Sequence, residues 1–436
     1  MSKRTVNIIS LGCSKNLVDS ERLMKKLEDV GFRMLHNEAY DCKADVTVIN
    51  TCGFIGDAKE ESVNTILEAT MAKQRGLTGK VIVMGCLSER YRSELPPEIP
   101  QVDAWYGKTD WDGMVRLLSD TYPSTASYDR HITTPPHSAY LKISEGCDRF
   151  CAFCAIPLIT GRFRSVPEED VLAEVRLLVS RGVKEFNIIA QELTNYGMDL
   201  YGEKRIARLV DRIADIEGVE WIRLHYAYPT DFPLDLLDVM ARRDNVCKYL
   251  DIALQHSSDN MLKRMLRHIT ASETKQLLDT IRAKVPGIHL RTTLMVGFPG
   301  ETEEDFRDLV DFVRSQRFER MGAFAYCEEE DTFSAKNYTD DISPETKQER
   351  LDEIMDIQEK ISDEIQHEKV GKVFRVLIDR EDNDYYVGRT EFDSPEVDPE
   401  VLVRKDRVLE PGNFYQVRIV EALPFELIGE TESNDD

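Results

Sequence analysis

The stretch Leu141-Lys142-Ile143-Ser144-Glu145-Gly146-Cys147-Asp148-Arg149-Phe150-Cys151-Ala152-Phe153-Cys154 runs from an apolar, strand-like segment directly into a C-x3-C-x2-C array. The array offers three thiolates rather than four. An iron-sulfur cluster with Cys at every iron is coordinatively closed and suited to electron transfer, whereas three Cys on a four-iron cluster leave one iron free to bind a reactant. A structural zinc ion takes a closed set of four Cys or His ligands. The nearest upstream His, His137, lies ten residues before Cys147, so the array favours a cluster over a zinc knot.

Downstream, residues 140–143, 185–190, 221–226, 249–254, 290–296 and 323–325 are strand-like and mostly separated by helical stretches such as 168–180 and 204–216. Six such repeats predict a partial (β/α)6 barrel, and reactive groups in barrels of this kind sit at the carboxyl ends of the strands. The Cys array follows the first strand, which is where such a group belongs.

Upstream, residues 6–11, 46–50 and 81–84 read as buried parallel strands of a doubly wound α/β unit. Each is followed by a Cys: Leu11-Gly12-Cys13, Asn50-Thr51-Cys52 and Met84-Gly85-Cys86. Ligands of open α/β sheets bind outside the carboxyl ends of the strands, so three Cys far apart in sequence can converge there. Taken singly, each Cys reads as a buried core thiol. Their repetition at one topological position points instead to a second three-Cys cluster. Cys42, Cys247 and Cys327 have no partner pattern and read as buried thiols.

Residues 123–138, rich in Pro, Ser and Thr, are expected to be a linker. Ser343-Pro344 supplies an N-cap and N1 pair for a long amphipathic helix carrying Leu351, Ile354, Ile357, Ile361 and Ile365. Beyond Gly371, short β-rich pieces at 373–378, 385–388, 401–403 and 415–422 predict a small antiparallel β-barrel. The expected organisation is therefore 1–122, a linker at 123–138, a barrel at 139–366 and a β unit at 367–436.

The chain holds 56 Lys plus Arg against 80 Asp plus Glu, a net charge of −24, which repels a phosphate backbone unless a basic patch intervenes. No signal peptide and no run of 18 apolar residues is apparent, so a cytoplasmic protein without a membrane span is expected. Nine Cys, an odd number, argue for reduced thiols and metal ligands over a disulfide framework.

With six Cys placed, the chain resembles the radical S-adenosylmethionine (SAM) methylthiotransferases over nearly its whole length. Leu141 to Cys147, the Cys-Ala-Phe-Cys-Ala-Ile-Pro run at 151–157, Ile189 to Gly197 and Leu250-Asp251-Ile252-Ala253-Leu254-Gln255-His256 are similar to the RimO branch. Two departures, Thr160 before Gly161 and Glu192 for a common Asp, touch no cluster ligand. The resemblance implies a mixed α/β fold: a doubly wound cluster domain, a radical SAM barrel and a C-terminal TRAM β-barrel. It also implies two [4Fe-4S] clusters, one on Cys13, Cys52 and Cys86 and a SAM-binding one on Cys147, Cys151 and Cys154.

One SAM would supply a methyl group to sulfur on the first cluster. Another would be cleaved at the second to a radical that abstracts hydrogen from an aspartate β-carbon of protein twelve of the small ribosomal subunit. Phe153 is expected beside the adenine, with Gln191, Arg291 and Gly297 as further SAM contacts; the turn at Gly297 is equally explained as a tight turn. The alternative within the family is a tRNA methylthiotransferase acting on a modified adenosine, and a more distant one is a non-catalytic iron-sulfur sensor.

From His367 to Asp436, nine Lys plus Arg face 18 Asp plus Glu, a net of −9, which disfavours tRNA and favours a basic ribosomal protein. A monomer is expected, and no residue pattern specifies the electron donor or the sulfur donor.

Overall fold

A computed structural model describes residues 4–121 and 128–432. The amino-terminal sheet has five parallel strands in the order Arg33–His36, Thr5–Ser10, Ala44–Thr51, Thr78–Gly85, Ala104–Trp105. The three central strands are continuous apolar runs because helices cover both faces of a parallel sheet. Val6, Ile8, Val48 and Ile82 pack against Leu23, Met24 and Leu27 of the helix Ser14–Asp29 on one side. Ile49, Val81 and Val83 pack against Ile66 and Ala69 of Gly56–Gln74 on the other. The chain order reverses beside Thr5–Ser10, and the strand ends at such a reversal open the crevice in which ligands of these sheets bind.

The second sheet has six parallel strands, Ser138–Lys142, Glu185–Ile189, Trp221–Ala227, Val246–Ile252, His289–Val296 and Arg320–Ala325, adjacent in chain order. Its convex face buries Leu141, Ile188, Leu224, Leu250 and Leu290 against the surrounding helices. The alternating residues Tyr140, Lys142, Glu185, Arg223, Asp251 and Arg291 line the concave face, as the two-residue period of a strand requires. The long helix runs over Pro344–His367, capped by Ser343, whose Oγ accepts from the Thr346 amide at 3.2 Å.

The five carboxyl-terminal strands close into a barrel. One pairing differs from the antiparallel expectation: Glu400–Arg404 lies parallel to Glu426–Thr431, a strand the apolar pattern did not reveal. The barrel closes through this last strand, whose chain direction is set by its antiparallel partner Phe414–Ala422.

Residues 122–127, which include the first five of the expected linker, lie outside the described residues. The remainder is an ordered seam. Arg130, fully buried, pairs with Glu21 of the amino-terminal unit and with Glu174 of the barrel, the latter at 2.7 Å.

The flanking units close opposite ends of the central sheet. At the amino ends of the strands, Glu185 pairs with Arg389 at 2.7 Å and Arg320 with Asp393 at 2.6 Å, while Phe392 stacks on His289 and Phe414 meets the edge of Trp221. At the carboxyl ends, Val18 packs on Tyr140 and Ile189, and the Lys15 ammonium lies 3.3 Å from the centre of the Tyr226 ring. The crevice carrying the first three Cys thus faces the end of the barrel that carries the other three.

Candidate active site at the facing strand ends

Asn16 ties the three strand ends of the first sheet together. Its Nδ2 donates to the carbonyls of Leu11 (3.1 Å) and Thr51 (3.0 Å), and its Oδ1 accepts from the Cys86 thiol at 3.5 Å. Cys13 is the N-cap of the helix Ser14–Asp29. Burial raises the Cys52 thiol above its ordinary value and pushes Cys86 up to about 12, with the neighbouring Cys adding to both shifts. Such thiols hold their protons until a metal displaces them.

Two glycines leave no room for a side chain in this cradle. A Cβ on Gly12, whose φ is +84°, would lie 2.7 Å from Cys52 Cβ and 2.9 Å from its Sγ. A Cβ on Gly53 would meet the Leu87 amide nitrogen at 2.7 Å. Gly12→Ala is therefore expected to lower the iron bound per chain by up to half while leaving the barrel array loaded; full loading of the variant, measured by iron assay, would contradict this.

In the barrel loop, burial pushes Cys147 up to about 12 and raises Cys154 further, again with neighbouring Cys contributing. Among the described residues no three His, Cys, Asp or Glu side chains close on a single ion. A cluster spreads its three ligands over three irons and needs no such closure. With only thiols as donors, both triads fit iron-sulfur clusters rather than a hard cation.

The two triads adjoin. Cys86 packs with Ala155 and Ile159, the residues that follow Cys154. A buried ion network runs beside them: Lys142 contacts Asp19 and donates to Glu145 at 2.8 Å, and Lys108 also contacts Glu145. Burial opposes ionisation of Glu145, yet Lys142 and Lys108 hold its carboxyl well below the usual range. Burial likewise disfavours the Lys108 ammonium, but Asp19 and Glu145 keep it charged above its ordinary range.

Phe153 and the turn Gly297-Phe298 meet, with ring centroids 6.5 Å apart in a cluster that includes Met261, Met295 and Tyr326. Gly297 has φ +71°, and a Cβ there would run into Lys347. Gln191 donates to Glu145, and its Oε1 has no partner among the described residues. Arg291 lies apart from these, low in the lumen, where it interacts with Tyr249, Asp251 and Asp398. Of the three remaining thiols, Cys247 is buried as expected, but Cys42 and Cys327 are exposed: one lies in a surface turn and the other just beyond the last barrel strand.

Burial, partly offset by Arg291, pushes Asp251 up to about 6. Unfolded Asp titrates near about 3.9. Between about pH 4 and 6 the native chain retains a proton that the unfolded chain has lost, so this group makes stability fall as pH rises through that window. Asp251→Asn is expected to flatten the fall, read as urea midpoints across the window; an unchanged slope would contradict it.

The sequence did not reveal Asn16, Lys15, Lys108, Tyr228 or Arg267 as site residues. Apart from the Asn16 bond to Leu11, their contacts named here join residues tens to more than two hundred positions apart, and no local spacing signals them.

Known proteins resemble this chain in sequence and in fold. The profile described as Radical SAM superfamily matches residues 141–313, that described as Uncharacterized protein family UPF0004 matches 5–107, and that described as TRAM domain matches 370–431. The solved structure of TsrM, a radical S-adenosylmethionine methyltransferase from Kitasatospora setae, has the same fold at TM-score 0.57 and 16% identity, over 74% of this chain and 73% of that one. OxsB, a cobalamin-dependent S-adenosylmethionine radical enzyme, matches at TM-score 0.53 and 14% identity, over 83% of this chain and 56% of that one. Fold and site together define a radical SAM enzyme.

Proteins named ribosomal protein uS12 methylthiotransferase RimO are 59% identical, from Phocaeicola vulgatus over 98% of this chain and 99% of theirs, and from Bacteroides fragilis over 99% and 100%. The chain belongs to the RimO family of radical SAM methylthiotransferases, whose cofactors are SAM and two [4Fe-4S] clusters. Among the described residues no helix is long and apolar enough to cross a membrane.

Proposed function

We propose that this protein attaches a methylthio group to the β-carbon of an aspartate in ribosomal protein uS12, and does so in the cytoplasm. The observation that carries the reading is the adjacency of two three-Cys sets, with Cys86 packed on the residues that follow Cys154. Cys13, Cys52 and Cys86 hold one cluster, and Cys147, Cys151 and Cys154 hold the other, leaving one iron of each without a Cys ligand. When bound, the clusters and SAM supply the methylthio group and the radical that removes hydrogen from the substrate carbon.

The chain's own residues position and shield. Asn16 fixes the spacing of the first triad through its bonds to Leu11, Thr51 and Cys86. The ion network of Asp19, Lys108, Lys142 and Glu145 binds the amino-terminal unit to the barrel and fills with fixed charges a seam that water would otherwise enter. Phe153 and Phe298 offer an apolar wall for the adenine, with Gly297 opening the backbone beside it. Gln191, with a free acceptor, and Arg291, deeper in the lumen, are the polar candidates on the SAM and substrate sides.

The net charge of −9 beyond His367 supports a basic protein over RNA as partner. In the deciding experiment, anaerobically reconstituted, dithionite-reduced protein is incubated with SAM and either uS12 or tRNA. A mass gain on uS12 equal to one methylthio group less one hydrogen is expected. Gain on tRNA alone would overturn the substrate assignment.

A further inference from the structure

Arg267 is 2% exposed, yet among the described residues no carboxylate pairs with it. Its Nη1 donates to Cys151 Sγ at 3.1 Å, its Nη2 donates to the Ala253 carbonyl, and its Nε has no partner among the described residues. The guanidinium lies 4.1 Å from the centre of the Tyr228 ring, with Arg149 against the same ring at 4.3 Å, and the Tyr228 hydroxyl is 3.7 Å from Cys151 Sγ. Arginine cannot shed its proton in a protein, so burying it requires a counter-anion. The Tyr228 hydroxyl offers no anion, because it donates its proton to the Arg267 carbonyl at 3.1 Å. The remaining partner is the sulfur of Cys151, which becomes an anion when it ligates a metal.

The backbone is built to aim this side chain inward. Leu266 and His268, on either side, both adopt left-handed conformations at φ +57° and +53°, a cost that persists only where surrounding structure enforces it. The Arg267 carbonyl accepts from Tyr228 Oη at 3.1 Å and Thr230 Oγ1 at 2.8 Å. The Met265 carbonyl accepts from the Ala152 amide at 3.0 Å, which ties the segment directly to the Cys loop.

We propose that Arg267 is a positioning residue that serves as the fixed counter-charge of the barrel cluster, acting through Cys151 to raise its reduction potential. This rests on the assignment of Cys147, Cys151 and Cys154 as the ligands of that cluster. One-electron reduction adds negative charge to a unit already made anionic by three thiolates, so a cation held against one of them favours the reduced form. Solvent cannot substitute for it, because Cys151 and Tyr228 are also buried.

The test uses the full chain with Cys13, Cys52 and Cys86 all replaced by alanine, so that only the barrel cluster loads, titrated with dithionite under EPR. Arg267→Gln is expected to lower the reduced-to-oxidised ratio at fixed potential about tenfold, which is about 59 mV for one electron. Iron content should be unchanged, and Arg267→Lys should recover most of the shift.

Full iron with an unmoved potential in Arg267→Gln would overturn the proposal. If that variant fails to load, protein labelled with [15N]arginine decides instead: a nitrogen coupling at the reduced cluster is expected, and its absence overturns the contact. Failure of the unsubstituted Arg267 background to bind iron at all would overturn the ligand assignment itself, and the proposal with it.

Discussion

Cys151→Ala is expected to eliminate formation of 5'-deoxyadenosine from SAM and to halve the bound iron. Cys86→Ala should also halve the iron and abolish methylthio transfer, yet leave SAM cleavage intact. The asymmetry follows from where the two thiols stand. Buried Cys247 cannot replace a lost ligand, because it lies beside Arg223 at the amino ends of the barrel strands, the opposite end from both arrays.

Losing one of three Cys leaves two irons of a cluster without protein ligands, and the cluster is expected not to survive. Only the barrel array adjoins Phe153 and the Gly297 turn, so SAM cleavage tracks Cys151 and not Cys86. Measurement of 5'-deoxyadenosine under dithionite, beside iron assay and product mass, separates the outcomes. If Cys86→Ala loses cleavage as fully as Cys151→Ala, the division of labour between the triads is wrong. If Cys151→Ala retains it, the assignment of the radical site fails.

Much of this site is visible in the residue order because its chemistry sits at strand ends. A buried parallel strand is a continuous apolar run, so Ile8, Val48 and Val83 mark their strands, and the Cys that follows each run declares itself. Arg33–His36 and Ala104–Trp105 are short edge strands with polar or isolated apolar residues, and they leave no such run. Glu426–Thr431 has only Leu427 and Ile428 as large apolar residues, too short a run to mark a strand, and its pairing with Glu400–Arg404 is decided by barrel closure rather than by its own pattern.

The plug at the amino ends of the barrel is less visible still. Arg389 and Glu185 are separated by 204 positions, and each alone reads as an ordinary surface charge. The same holds for Arg267 and Cys151, 116 apart: proximity created by folding has no counterpart in spacing.

The seam at Arg130 carries the largest expected effect on stability. Pro, Ser and Thr around it read as a solvated linker, yet the guanidinium is buried between two acids from different units. Its Nε donates to Glu174 at 2.7 Å, while Nη1 contacts Glu21 and Nη2 the Tyr140 carbonyl. Glu21 is further fixed by the Thr133 amide at 2.7 Å and hydroxyl at 2.8 Å, and Glu174 by Arg22 at 3.2 Å. Arg130→Met strands two buried carboxylates against one remaining, partly buried cation, and removal of one partner from a buried pair costs about 3–5 kcal/mol.

The urea midpoint of the full chain should fall accordingly. Because the lost contact joins the amino-terminal unit to the barrel, the two units are expected to unfold in separate transitions. Combining Arg130→Met with Glu21→Gln and Glu174→Gln removes the stranded charges and should restore much of the loss, since replacing all members of a buried ionic group is far less costly than removing one. A midpoint unchanged in Arg130→Met would mean that water reaches Glu21 and Glu174 once the guanidinium is gone, and that the seam does not hold the two Cys-bearing units together.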